Sequence, residues 1–145
     1  MLNVGEIMAP PLIKQVQKSD SEVYLNIIDS PPGTSCSMVT SVEKTDFVIL
    51  IAESTAFGLN DLTIAVDTVK ELKKPFGVVI NRDGAGDDRV EKYCNSESIE
   101  ILARIPDSLD VAKYYSNGQV AWRKDEKFTA SIDGLANKII QRFSL

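Results

Sequence analysis

The stretch Val23–Thr34, VYLNIIDSPPGT, decides how this chain reads. Val23–Ile28 is a run of β-forming residues with no polar alternation, the pattern of a strand buried on both faces. It ends in one carboxylate, Asp29. Pro31 and Pro32 follow and donate no backbone hydrogen bonds, so the strand must stop there. Gly33 then permits a positive φ or a close backbone approach to a ligand. An acid at the carboxyl end of a buried strand, followed by a stiff loop, is where ligands bind in open parallel sheets. Asp-Ser-Pro-Pro-Gly is also good turn chemistry, so Asp29 by itself reads first as the start of a surface turn, and the rest of the chain is what favours a site.

The same pattern recurs downstream. Ser35 is placed to cap a helix carrying Met38, Val39 and Val42 at helical spacing. That helix would aim its free amides and positive dipole end toward Asp29. Cys36 falls in its first turn, either as a thiol of lowered pKa or as a small buried residue. Phe47–Ala52, FVILIA, reads as a second buried strand, closed by Glu53-Ser54-Thr55. Leu59, Leu62, Val66, Val69 and Leu72 make a helical stripe, with Lys70, Lys73 and Lys74 near its end and Pro75 as the stop. Phe76–Ile80, FGVVI, is a third buried strand that ends in Asn81-Arg82.

Asp83–Asp88 is a Gly/Asp loop whose spacing fails for calcium, since position twelve is Cys94 rather than a bidentate Glu. A short helix over 89–95 and a fourth strand over 99–105 follow, the latter ending in Pro106-Asp107. Asp107 or Ser108 caps a helix expected to turn Leu109, Ala112 and Tyr115 inward. Asn117-Gly118 ends that helix. The segment 120–127 reads as irregular, with the lone Trp122. Ile132, Leu135, Ala136, Ile139, Ile140 and Phe143 mark a closing amphipathic helix. Upstream, Leu2–Val4 is at most a short edge strand, and Pro10-Pro11 opens a short helix ending near Lys18. Strands alternating with helices at this spacing imply βαβ units, a parallel sheet and right-handed crossovers. Residues 1–145 therefore read as one α/β domain.

Composition narrows the chemistry. The 145 residues are 43% hydrophobic and 26% charged, with a net charge of −5. An acidic chain does not meet nucleic acid through general electrostatics. With no histidine there is no Ser-His-Asp or Cys-His pair and no imidazole metal ligand. Two cysteines, Cys36 and Cys94, are too few for a four-thiolate zinc or iron–sulfur site, and make no disulfide framework. The longest clean apolar run, Phe47–Ala52, is too short to span a membrane, and the N-terminus lacks the basic and apolar regions of a signal peptide. A cytoplasmic protein without membrane or nucleic-acid partners is the expectation.

The order IIDSPPGT, VILIAEST, FGLNDL, FGVVINR and EILARIPD resembles the C-terminal half of a MinD/ParA-type P-loop ATPase. Within that group it most resembles the ATPases carrying an inserted ferredoxin domain. The resemblance covers nearly the whole chain and is most specific at the DxPPGT loop. It implies a P-loop NTPase-like (SIMIBI/MinD-like) fold: a three-layer parallel sheet flanked by helices, missing the N-terminal P-loop strand. It also implies roles. Asp29 would be the Walker-B-type acid, acting on Mg2+ directly or through water. Pro31, Pro32, Gly33 and Thr34 would form the switch loop that senses the γ-phosphate. Asn81 would read adenine, whose N6/N7 edge matches a carboxamide. Arg82, Pro106 and Asp107 would flank the base, with Glu53 a candidate for the site or its closure.

The complete family site takes ATP and Mg2+. These 145 residues contain no G-x-x-x-x-G-K-[ST], the loop that supplies the phosphate-binding amides, the Lys and the Mg-binding hydroxyl. The ferredoxin cysteines of the group are missing too, so no iron–sulfur cluster is expected within the chain. In the family both features would lie upstream of Met1, so the chain reads as the switch and base-recognition half of an ATPase, inactive alone. The competing reading is an interaction module that keeps the fold without nucleotide chemistry. An unrelated doubly wound protein is a third reading, but the usual sites of that class are not visible.

The family's P-loop strand lies inside the sheet, beside the strand bearing the acid. Without it, the strands over 23–28 and 47–52 would face a gap, and unpaired apolar edges recruit partners. A homo-oligomer, most simply a dimer, or a P-loop-bearing partner chain is expected, with a ferredoxin-type protein a further candidate.

Overall fold

The structure, a computed structural model, describes residues 25–30, 33 and 36–144. Its elements in chain order are α1 (Cys36–Val42), β1 (Val48–Glu53), α2 (Ala56–Glu71), β2 (Phe76–Asp83), α3 (Arg89–Ser96), β3 (Ile101–Pro106), α4 (Leu109–Ser116) and α5 (Glu126–Phe143). The described chain divides into two compact units. One comprises the described residues up to Val48 together with Ile64–Pro75. The other comprises Ile49–Thr63 and the chain from Phe76 onward.

In the first unit, α1 buries Met38, Ser41 and Val42, and the C-terminal half of α2 buries Val66 and Val69 completely. The Lys74 ammonium donates to the Thr45 carbonyl at 3.0 Å, and the Val48 amide donates to the Pro75 carbonyl at 3.0 Å. Cys36 is exposed, so it is not the small buried residue that one reading allowed.

The strand expected over 23–28 is not there in its described part. Residues 25–30 have no regular structure, and Ile27 is 85% exposed. A strand persists only where its N–H and C=O groups meet a partner strand. Among the described residues no strand of the sheet is formed by residues 25–28. Val23, Tyr24, Pro31, Pro32, Thr34, Ser35 and the elements expected at Leu2–Val4 and 10–18 lie outside the described residues.

In the second unit, three strands form a parallel sheet in the order β1-β2-β3, flanked by helices. The β2–β3 register pairs Val78 with Ile101, Ile80 with Arg104 and Asp83 with Pro106. Helix α5 packs on β3 and α3 on β2. Val78, Val79, Ile80, Val90 and Cys94 are fully buried, and Leu102 nearly so. Burying side chains of this size contributes about 1.5–3 kcal/mol each.

Strand β1 departs from expectation. It alternates, with Val48, Leu50 and Ala52 buried while Ile49 and Ile51 are exposed. The period of two along a strand sends neighbouring side chains to opposite faces. Among the described residues, the covered face of β1 is the one bearing Val48, Leu50 and Ala52.

Two helices carry their faces differently from the sequence reading. In α4, Leu109, Ala112 and Tyr115 are exposed, and Val111 and Tyr114 are the half-buried pair. The Ser108 hydroxyl accepts from the Val111 amide at 3.3 Å. That cap fixes the start of α4 and turns Val111 inward. Helix α5 begins at Glu126, within the segment read as irregular, because the Asp125 carboxylate caps it by accepting from the Phe128 amide. Its half-buried apolar stripe is Phe128, Ile132, Leu135 and Ile139, while Ala136, Ile140 and Phe143 are exposed against expectation.

Candidate functional site

The carboxyl ends of β1, β2 and β3 bring together the polar residues that the sequence places at strand ends. The buried run of β2 drives the strand through Val78–Ile80, and pairing continues to Asp83. From Ile80 to Asp83 the strand advances three residues while β3 advances from Arg104 to Pro106, so β2 carries a bulge over Asn81 and Arg82. Arg82 sits at φ 53, a left-handed conformation uncommon for a residue with a long side chain. Bulges re-aim side chains and concentrate next to functional sites.

Arg82 ties the three strand ends together. Its Nε donates to Asp107 Oδ1 at 3.0 Å, just beyond the end of β3. Its Nη1 reaches Glu53 Oε2 at 3.5 Å, on the last residue of β1. The hydrogen bond to Asp107, that residue's charge and the charge of Glu53 raise the guanidinium pKa above its ordinary value. The Asp107 amide in turn donates to the Asp83 carbonyl at 2.9 Å. Arg82 and its partners are about half exposed, so these ion pairs add little stability, and they orient groups more than they hold the fold.

A second layer backs the edge. The Arg104 guanidinium, on β3, reaches Glu91 of α3 at 2.6 Å and Asp83 at 3.6 Å. The Asp87 amide donates to the Ser54 carbonyl at 3.0 Å. That approach is close enough that a Cβ on Gly86 would stand 1.8 Å from the Ser54 oxygen. The turn after β1 and the loop after β2 are therefore joined backbone to backbone.

The structure thus brings Asn81, Arg82, Pro106, Asp107 and Glu53 to one sheet edge. Asn81 is half-buried beside the Arg82 bulge. Asp29 belongs to the other compact unit, where it is exposed. Gly33 has φ 85, the left-handed conformation its loop position called for. Pro31, Pro32 and Thr34 lie outside the described residues. The chemistry of Asp29 fits Mg2+, which is commonly held by one or two carboxylates with waters and phosphate oxygens completing its shell. Among the described residues no group of three or more His, Cys, Asp or Glu could hold a metal ion.

Sequence reading missed the three-way tie. Its only signal was opposite charges at three successive strand ends, and strand order was needed to show that Arg82 lies between the other two.

No protein-family model matches the chain. Two proteins of Methanocaldococcus jannaschii are similar in sequence. Uncharacterized protein MJ0579 is 29% identical over 111 residues, covering 66% of this chain and 41% of that protein. Uncharacterized protein MJ0578 is 27% identical over 141 residues, covering 95% of this chain and 48% of that protein. The chain thus spans less than half the length of these relatives.

Among solved structures, the septum site-determining protein MinD of Pyrococcus horikoshii, complexed with Mg-ADP, superposes with a TM-score of 0.71 at 20% identity. The match covers 91% of this chain and 55% of that one. A chain of the MinC:MinD cell division protein complex of Aquifex aeolicus gives 0.72 at 18% identity, over 91% and 57% of the two chains. The fold of this chain is that of MinD-like P-loop NTPases, an open parallel sheet flanked by helices.

Proposed function

We propose that this chain is the C-terminal portion of a MinD/ParA-like ATPase that supplies the base end of an ATP site. In this reading Asn81 reads the adenine edge, and Arg82, Pro106 and Asp107 flank the base. Glu53 serves the site or its closure. Asp29 acts on Mg2+ directly or through water, and the Asp29–Thr34 segment serves as the switch loop. The observation that carries the reading is the convergence of Asn81 and the Pro106–Asp107 turn at the carboxyl edge of a sheet whose fold is MinD-like. The P. horikoshii neighbour is complexed with Mg-ADP, which supports a nucleotide and Mg2+ as the ligand class.

Without the P-loop Lys and Ser/Thr, the chain alone does not hydrolyse ATP at a useful rate, since those groups supply most of the charge stabilisation. Affinity for nucleotide resides in the base end and is of order millimolar, about 4 kcal/mol. Calorimetry with adenosine and with ATP tests this. Equal weak binding of both supports the reading, and tight Mg-dependent ATP binding refutes it. ATP turnover abolished by Asp29→Asn would also refute it.

A second reading, a non-catalytic interaction module, draws on the exposed Ile49 and Ile51 of β1. In either reading this face meets a partner, a second copy of the chain or a P-loop-bearing chain. Light scattering across a dilution series separates these from a monomer.

A further inference from the structure

Arg82 is an unexpected residue for its backbone. Its φ of 53 lies in a region that glycine enters freely and a long side chain rarely does. Two contacts accompany that conformation: the Nε bond to Asp107 at 3.0 Å and the Nη1 contact with Glu53 at 3.5 Å. The bulge it forms sits immediately after Asn81. Asp107 is held twice, through its carboxylate by Arg82 and through its amide by the Asp83 carbonyl at 2.9 Å. Two of its five N–H donors, on Nε and Nη1, are engaged by carboxylates at neighbouring strand ends, so the guanidinium is oriented by the protein itself.

We propose that Arg82 is a positioning residue for a purine base at this edge, holding the Asn81 bulge and the Pro106–Asp107 turn in mutual register without touching the base. This rests on the base-end reading given above and changes one role in it. The planar fork suits the task because its N–H groups diverge toward two carboxylates at fixed angles, which a lysine ammonium does not reproduce. The clamp acts on the β3–α4 turn, and the second layer formed by Arg104, Glu91 and Asp83 does not involve the Arg82 side chain.

The test uses the full chain with Arg82→Gly and Arg82→Asn. Both residues accept a left-handed φ, and neither reaches Glu53 or Asp107. Three quantities are read: the melting temperature, amide exchange at Asp107, and adenosine affinity followed by nuclear magnetic resonance. The expected result is an unchanged or raised melting temperature, with exchange at Asp107 faster by about tenfold. Adenosine affinity should fall by about tenfold, because the turn that meets the base is no longer pre-organised. Arg82→Lys should restore neither exchange nor affinity. Affinity that falls while exchange at Asp107 stays unchanged would overturn the proposal, because it would make Arg82 a direct contact of the base. Adenosine binding that survives Arg82→Gly would overturn this proposal alone. No adenosine binding by the unsubstituted chain would overturn it together with the base-end reading.

Discussion

The Ser108 hydroxyl donates to Asp125 Oδ2 at 3.1 Å, and these two residues are the N-caps of α4 and α5. Each accepts an amide of its own helix, Val111 for Ser108 and Phe128 for Asp125. The starts of two helices are thereby joined through one hydroxyl. The Phe128 amide, with the Ser108 hydroxyl assisting, holds the Asp125 carboxyl below its ordinary value of 3.8. A depressed carboxyl contributes stability above its unfolded pKa, and that contribution is lost as pH falls through the folded pKa. Asp125→Ala should lower the melting temperature near pH 7 by about 3 °C. The gap between the two proteins should narrow below about pH 4. Ser108→Ala and the double variant should be non-additive. A gap of equal size in acid would show that the carboxylate's charge plays no part.

Two glycines should respond to the same substitution with opposite signs. A Cβ on Gly86 would stand 1.8 Å from the Ser54 backbone oxygen, so alanine forces the loop off the β1 turn and breaks the Asp87–Ser54 bond. Gly86→Ala should cost about 1–3 kcal/mol. Gly134 lies within α5 with nothing within 4 Å of its Cβ position. Gly134→Ala should stabilise by about 0.5–1 kcal/mol through helix propensity. Denaturant titration of both variants reads the contrast. A neutral Gly86→Ala would mean that the loop is not seated on Ser54.

Asp87 carries an acid-sensitive contribution of its own. The Arg89 side chain and backbone amide both donate to its carboxylate, holding its pKa at about 2 against an ordinary 3.8. This contribution is complete above about pH 4 and disappears as pH falls toward 2. In Asp87→Asn the melting curve should lose that part of its pH dependence. Because the pair is exposed, the difference should shrink at about 1 M salt, where screening acts within a few ångströms. Melting temperatures measured from pH 2 to 6 at low and high salt would reveal a parallel pair of curves if the Arg89 contact contributes nothing.

The two thiols should differ sharply in reactivity. Cys36 is exposed in the first turn of α1, whereas Cys94 is fully buried on α3, where burial raises its pKa. Thiolate is the reactive form, so Cys94 is protected both by access and by charge. A disulfide reagent should titrate one thiol rapidly in the folded protein and both after unfolding. Rapid reaction of both under native conditions would show that α3 does not stay docked on β2.

What the sequence determined by itself is what neighbouring residues decide among themselves. The Val78–Ile80 run is a buried strand, the Leu62, Val66 and Val69 stripe faces inward, a cap at Asp107 or Ser108 starts α4, and Gly118, at φ 68, follows the end of that helix. Each depends on a period of two or 3.6 residues, or on a cap within one turn. The polar strand ends at Asn81 and Pro106-Asp107 were visible for the same reason. The tertiary structure alone decided the rest. Ile27 and Ile28 suit a strand, yet pairing is a property of two segments, and none among the described residues supplies it to residues 25–28. Only the sheet shows which face of β1 is covered and which face of α4 turns inward. Arg82 finds Asp107 and Glu53 across 25 and 29 residues of chain, so its role depends on strand order and on a bulge that no local pattern announces.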